Sequence, residues 1–442
     1  MNKNIKYLIA TFGILLSVIY LISHFTYMMR EPTIEKTNLM GFYAEPEDTL
    51  DVVFIGSSTL RTSVNPIVLW QDYGITSYDI ATSSQRPTAL IHFLREVQKY
   101  QKDALYVIDV NLVRNDYDVW EEQNEGSIRH ITDGMKYSFN RIRCINDIVE
   151  GDKSSYYFDI LKYHSNIEEL TNFDAWDFEV RNPWKGFIML TDTVFSPCKY
   201  KYTDEKGSIP AYGENALREL LLYSKQNDIN VEFIITESHG IDYKTCQCIK
   251  EIVEEYGFDC FVFNDHEDEL NMDESMDFYD ELHTTVLGSE KCTRLYGKYL
   301  VEKYGSFPVK SDKVTEDWNE SAEKIRVELE NGAAQVQKAR YGKISVEIQF
   351  DGYTGRFRNR TAANEELEMA LYIYERLDDG SEQRIDKIGY TNEAEVTYDF
   401  DPKKSYRIVA FIRVADEQET STYREIAAIS YNEEIGTFEI IK

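Results

Sequence analysis

The chain has 442 residues, 43 % hydrophobic and 29 % charged, with 78 acidic against 48 basic side chains and a net charge of −30. That length allows two or three domains with ample cores, and 9 Pro with 22 Gly exclude a fibrous or disordered chain. So acidic a chain lacks the basic face of a general nucleic-acid binder and gains no attraction to anionic polymers or lipids; the plainest reading of the acid is solubility.

The first element is apolar. Tyr7 to Met29 is a run of 23 residues without Asp, Glu, Lys or Arg. As a helix it spans about 35 Å, enough for a ~30 Å hydrocarbon core. Lys3 and Lys6 precede it, which favours a cytoplasmic N-terminus. No small-x-small cleavage site follows, so the run reads as an uncleaved, single-pass anchor with everything after Arg30 outside the membrane.

From Asp51 to Tyr304 strands and helices alternate. Asp51–Ile55, Ser77–Ile80, Ala104–Val110, Val231–Thr236 and Asp259–Phe263 read as buried strands. Pro66–Asp72, Pro87–Tyr100, Tyr212–Gln226, Asp242–Tyr256 and Leu287–Tyr304 read as helices. The alternation predicts a parallel five-stranded sheet with helices on both faces. Residues 115–210, rich in Asp, Asn, Tyr and Trp, break the rhythm and read as an insertion or cap at the C-terminal edge of the sheet. The six cysteines, 144, 198, 246, 248, 260 and 292, have no zinc or redox spacing. Most of them read as buried small apolar residues.

Residues 311–340 are charged and read as a linker helix. Beyond it Lys343–Phe350, Glu368–Glu375, Arg384–Tyr390, Ala394–Phe400, Lys404–Val414 and Arg424–Tyr431 read as strands, with Asp379-Gly380 as a hairpin turn. Six short strands in about 100 residues suggest a small all-β sandwich of Ig-like type. The expected domains are therefore 1–30 (anchor), 31–310 (α/β, with the insertion), 311–340 (linker) and 341–442 (β-sandwich).

Two short segments carry candidate chemistry. Gly56-Ser57-Ser58 follows the first strand, at the sheet edge where such folds keep their sites; it also reads as a turn with an N-cap. Asp280-Glu281-Leu282-His283 precedes the last helix. Three-residue spacing lets the Asp carboxylate orient the His ring, leaving the second ring nitrogen to take a proton from a serine. It also reads as a surface turn.

Taken together, these segments at opposite ends of a five-strand α/β unit resemble the SGNH (GDSL-like) hydrolase family over about residues 50–305. The resemblance implies a flavodoxin-like sheet, Ser58 as nucleophile, His283 as base and Asp280 as its orienting partner. Ser57 stands where the family has Asp, as also in relatives that act in D-alanylation of teichoic acids and O-acylation of polysaccharides. The family's second block, usually with an oxyanion-hole Gly, is here Ala81-Thr82-Ser83-Ser84-Gln85, where the Thr82 or Ser83 N–H would serve. The third block, usually Gly-x-Asn-Asp, is degraded, and Asn111 is the side-chain oxyanion candidate. A missing donor costs about 10²–10³ in rate.

Gln85, Arg86 and His239 are candidate substrate contacts, with His239 also readable as a solvated loop histidine. Tyr163-His164 matches a pattern in the insertion of bacterial relatives or is structural. Asp265 to Glu269 reads as a charged loop, and no metal or other cofactor is implied. The expected activity is an extracytoplasmic serine esterase or O-acyltransferase on acyl, chiefly acetyl, esters of cell-envelope or exopolysaccharide glycans. By analogy its partner is a multi-pass membrane O-acyltransferase. The alternative is a non-catalytic envelope scaffold or glycan-binding accessory protein.

Overall fold

The structure is a computed structural model that describes residues 3–115, 125–169, 179–191, 207–236, 243–273, 276–280, 282–339, 345–361, 366–377, 381–415 and 421–441. It divides into two compact units. Met1–Ile188, Tyr200–Asn271 and Ser289–Val327 form the first; Met189–Lys199, Met272–Gly288 and Glu328–Lys442 form the second.

The first unit begins with helix α1 (Lys3–Met29). Asn4–Met29 contains an 18-residue stretch of mean hydropathy 2.1 and is long and apolar enough to cross a membrane. Its side chains are exposed through Ile22 and become buried from Thr26 onward. Helix α2 (Ile34–Tyr43) follows, capped by the Thr33 side chain. Strands β1 (Val52–Ser57), β2 (Ser77–Thr82), β3 (Leu105–Asp109), β4 (Val231–Ile235) and β5 (Cys260–Val262) form one parallel sheet in the order 2-1-3-4-5. Every residue of the five strands is buried, so both faces are covered. This is why the strands read as continuous apolar runs rather than alternating ones.

Helix α3 (Ser58–Ser63) leaves β1 directly, and α4 (Pro66–Tyr73) follows. The ends of α4 are set by local chemistry. Asn65 accepts from the Ile67 N–H, Pro66 holds the first turn, and Gly74 closes the helix at φ 68°. Helix α5 (Leu90–Val97) joins β2 to β3. The described part of the insertion contains four short helices: α6 (Glu125–Thr132), α7 (Phe139–Ile148), α8 (Ser154–Tyr157) and α9 (Ile160–Tyr163). Helix α7 packs on α5, where Asn140 donates to the His92 carbonyl at 2.8 Å and to Glu96 at 2.9 Å. Helices α10 (Ala211–Gln226), α11 (Tyr243–Glu255), α12 (Glu267–Leu270) and α13 (Val286–Tyr304) complete the alternation. Four of the five described cysteines are buried; Cys198 lies outside the described residues.

The expected linker is one continuous helix, α14 (Asp312–Ala339). Its first half is part of the α/β core. Trp318 is buried against Trp70, with ring centroids 5.7 Å apart, and lies under the Lys185 ammonium. Arg181 grips Asp317 with two nitrogens. An apolar anchor on an otherwise charged helix turns a spacer into a packed element.

The second unit carries two antiparallel sheets: β10-β7-β6 and β13-β12-β11-β8-β9. Their strands are β6 (Val346–Asp351), β7 (Thr354–Asn359), β8 (Leu367–Arg376), β9 (Glu382–Thr391), β10 (Val396–Asp399), β11 (Ser405–Val414), β12 (Ser421–Asn432) and β13 (Thr437–Ile440). One core joins the two sheets, with Phe357, Val396 and Phe400 meeting Leu371, Ile373, Ile408, Ile412 and Phe438. Strand β7 lacks a sequence signal because polar residues dominate it, Thr-Gly-Arg-Phe-Arg-Asn, with Gly355 and Phe357 buried on its inner face, and β13, Thr-Phe-Glu-Ile, is too short to stand out. The Asp379-Gly380 turn lies outside the described residues.

Candidate functional site

The carboxyl ends of β1 and β3 are where the strand order reverses, so the connections leave the sheet in opposite directions there, the position at which open α/β sheets place their ligands. Gly56, Ser57 and Ser58 stand at that edge. A Cβ on Gly56 would lie 2.8 Å from Asp109 Cβ and 2.8 Å from Leu60 Cδ2, so close packing of β3 and α3 requires a glycine. Ser57 is buried in the ladder opposite Thr82 and occupies the N-cap of α3, but its side chain makes no capping bond. Its hydroxyl lies 2.9 Å from the Thr59 hydroxyl instead. Ser58 is the first helical residue and is half-buried. Ser57 thus takes the N-cap position of the turn without the side-chain bond that a capping serine makes.

Beneath these serines sits a carboxylate with no motif of its own. Asp109, at the end of β3, accepts from the Thr59 hydroxyl (3.1 Å), the Asn111 N–H (3.0 Å), the Thr236 hydroxyl (3.2 Å) and the Thr236 N–H (3.4 Å). It ties together the ends of β1, β3 and β4. Burial pushes its carboxyl up to about 6, against the pull of those four donors. Asp109 passes unnoticed in the sequence because its side-chain partners, Thr59 and Thr236, are 50 and 127 positions away.

The oxyanion candidates are largely engaged. Thr82 is buried. The Ser83 N–H points at Glu35 Oε1 (3.3 Å), as does its hydroxyl (2.8 Å), and Arg61 bridges both, 2.9 Å from Glu35 and 2.8 Å from Ser83. Burial opposes the charge of Glu35, but Arg61, the Ser83 hydroxyl and His130 hold its carboxyl below the usual value. Asn111 is fully buried, and its amide donates to Thr236 at 3.4 Å. Arg86 is spent on the Ile148 carbonyl and anchors the β2 loop to α7. Gln85 is 2 % exposed, and neither of its amide atoms has a partner among the described residues. His239 lies outside the described residues. Tyr163 is structural, donating to Asp133, whereas His164 is exposed.

The second unit holds Asp280 and His283, the candidate acid–base pair. Phe278 and Thr284 form an antiparallel bridge, and the Tyr279 N–H donates to the His283 carbonyl at 2.8 Å, which closes a tight turn. Inside that turn Asp280 Oδ1 accepts from the Leu282 N–H (2.8 Å), the His283 N–H (2.9 Å) and His283 Nδ1 (2.8 Å). Its Oδ2 lies 2.9 Å from the same ring nitrogen. Burial works against the Asp280 charge, but the His283 ring and the Leu282 N–H hold its carboxyl below the ordinary value. An ionised carboxylate only accepts, so this bond puts a proton on Nδ1 and selects the tautomer in which Nε2 is the acceptor nitrogen. A Cβ on Gly288 would lie 2.1 Å from the Asp277 carbonyl, which fixes a glycine where the turn enters α13.

The structure thus brings Asp280 and His283 together in one unit. In the other it groups Ser58, Thr82, Ser83, Gln85 and Asn111 at one sheet edge. Among the described residues no three His, Cys, Asp or Glu side chains converge as metal ligands. No protein-family model matches the chain, and no curated protein matches it.

Proposed function

We propose that this chain is a membrane-anchored, extracytoplasmic serine esterase or O-acyltransferase that resembles the SGNH hydrolases. Its substrates are acyl, chiefly acetyl, esters of cell-envelope or exopolysaccharide glycans. The observation that carries the reading is the grip of both Asp280 oxygens on His283 Nδ1, which fixes the tautomer a general base needs. Gly56-Ser57-Ser58 at the strand-order reversal supports Ser58 as the nucleophile. In this reading Ser58 Oγ attacks the acyl carbonyl while His283 Nε2 takes its proton. The proton then passes to the departing sugar oxygen, and an acyl-serine is left. Water or a second sugar hydroxyl, deprotonated by the same nitrogen, releases the acyl group. The Ser58 N–H and the Thr82–Ser84 turn supply the oxyanion donors, and the Ser83 N–H joins them once it leaves Glu35. With Lys3 and Lys6 on the cytoplasmic side of α1, the bulk of the chain lies outside. A multi-pass O-acyltransferase is the corresponding acyl source, and the β module is an Ig-like accessory domain.

A second reading, a non-catalytic scaffold or glycan-binding accessory protein, is favoured by the engagement of the Ser83 N–H and the Asn111 amide. A fluorophosphonate probe and p-nitrophenyl acetate separate the two. The test uses the full chain, because Tyr27, Met28 and Met29 belong to the core. Labelling and turnover are expected in the parent and absent from Ser58→Ala and His283→Ala. Equal labelling of parent and Ser58→Ala refutes the nucleophile, and no labelling of a folded parent favours the scaffold.

A further inference from the structure

Outside α1, five of the large apolar side chains exposed on the α/β unit fall in one stretch of sequence. Phe139 is 85 % exposed, Phe158 65 %, Leu161 57 %, Ile142 44 % and Ile160 40 %. Helix α7 turns Cys144, Ile145 and Ile148 inward and leaves Phe139 and Ile142, three residues apart, on its open face. Tyr137, Phe139, Ile142, Tyr157 and Phe158 line a largely apolar groove of about 720 Å³. Such a patch in water marks an interaction surface.

Its position relative to α1 identifies the occupant. No loose tether joins α1 to the fold. The Tyr27 hydroxyl donates to the Gly134 carbonyl, Arg30 donates to the Asp133 and Met135 carbonyls, and Asn166 donates to the Met29 carbonyl. The Arg30 guanidinium stacks 4.7 Å from the ring of Tyr137, which is itself a wall of the groove. Ile22 is still 56 % exposed and Thr26 is 3 % exposed, so apolar helix gives way to protein within one turn, about 6 Å. Interfacial helices sink about 5–10 Å into the headgroup and acyl boundary. The segment is also electrically suited to a lipid surface. Phe139 to Tyr163 holds four basic residues (Arg141, Arg143, Lys153, Lys162) and four acidic ones (Asp147, Glu150, Asp152, Asp159), so it is neutral within a chain of charge −30.

We propose that the surface formed by Phe139, Ile142, Phe158, Ile160 and Leu161 is embedded in the lipid leaflet from which α1 emerges, with phospholipid acyl chains filling the groove. The α/β unit is then seated on the membrane at a fixed height instead of swinging on a tether. The inference rests on α1 spanning a bilayer and is independent of the proposed catalysis.

The test places a nitroxide at Phe139→Cys, Phe158→Cys, Leu16→Cys (mid-span) and Val309→Cys (99 % exposed) in the full chain. The protein is held in phosphatidylcholine nanodiscs, and the signal of the labelled parent is subtracted. Collisions with oxygen and with a water-soluble nickel chelate are then compared. Labels at 139 and 158 should lose nickel collisions and favour oxygen, as at 16, whereas 309 should favour nickel. Adding Phe139→Glu and Phe158→Glu, both at exposed positions, should restore nickel access to a label at Ile142→Cys without shifting the unfolding midpoint. Nickel access at 139 and 158 while 16 reads lipid overturns the proposal, including the case in which a protein partner covers the patch. Nickel access at 16 as well removes its premise.

Discussion

Glu35 is the residue whose placement most constrains the candidate site. It lies six positions beyond the end of α1, yet its carboxylate occupies the Ser83 N–H and hydroxyl and pairs with Arg61. Its folded-state pKa is depressed, so the native state binds this proton less readily than the unfolded chain does. The stabilisation is then full above the unfolded value of about 4.5 and is lost as pH falls through the lower folded value. Glu35→Gln should therefore lower the unfolding midpoint at neutral pH and flatten its dependence on pH below about 5. Thermal unfolding from pH 3 to 7 checks this, and parallel curves for parent and variant would show that Glu35 carries no such linkage. The same substitution weakens the acceptor that holds the Ser83 N–H, so probe labelling of Ser58 should be maintained or rise. Asp280 and His283 were legible as a pair because they are three positions apart and the bond between them is local. Glu35 and Ser83 are 48 positions apart, and nothing in either neighbourhood announces the other.

At the scale of elements, β1 and its exit into α3 set the geometry of the serines. The apolar run Val52-Val53-Phe54-Ile55 was readable as a buried strand because all four side chains are fully enclosed. The strand continues through Gly56 and Ser57, beyond the predicted end at Ile55, because parallel pairing with Ala81 and Thr82 carries the ladder on. Helix α3, too short for a periodic signal, is held by the buried side chain of Leu60. Gly56→Ala puts a methyl group 2.8 Å from Asp109 Cβ and Leu60 Cδ2. Overpacking of this kind costs about 1–3 kcal/mol. Denaturant unfolding should show that loss, and labelling of Ser58 should fall more than stability alone explains, since β1 and α3 must part to admit the methyl. An unchanged midpoint would show that Leu60 yields freely. The β module follows the same logic: alternation exposed six of its strands, while β7 and β13 became strands through pairing with β6 and β12.

At the scale of the whole molecule, the docking of α1 depends on buried charge. Arg30 and Asp159 have fully buried side chains, with Arg141 and Arg129 closing on the same carboxylate at 3.0 and 3.3 Å. Burial opposes ionisation of Asp159, but Arg30 and Arg141 hold its carboxyl below the ordinary value. Asp159→Ala leaves Arg30 and Arg141 with only the Asp133 carboxylate nearby while Arg129 keeps Glu125, and breaking a buried pair of this kind costs about 3–5 kcal/mol. Denaturant unfolding of the full chain in detergent should register that loss, together with new protease cleavage near Arg30. A stable variant would mean that Asp133 and the surrounding carbonyls suffice. For the same reason, trimming the chain at Arg30 to obtain a soluble fragment should yield a weakened protein, since Tyr27, Met28 and Met29 go with the anchor.

The sequence by itself determined the apolar N-terminal run, the alternation that builds the parallel sheet, the change of texture at the β module and the Asp280–His283 pair. Each is written within a window of a few residues, where hydrophobic period and turn spacing act. Only the tertiary structure decided that the charged helix after Ser311 is half core, that Asp109 gathers three strand ends, that Glu35 holds Ser83 and that Asp159 gathers three arginines around the root of α1. The partners in those contacts are tens to more than a hundred positions apart. Burial, which turns a solvated charge into one that must find a partner, exists only once the chain has folded.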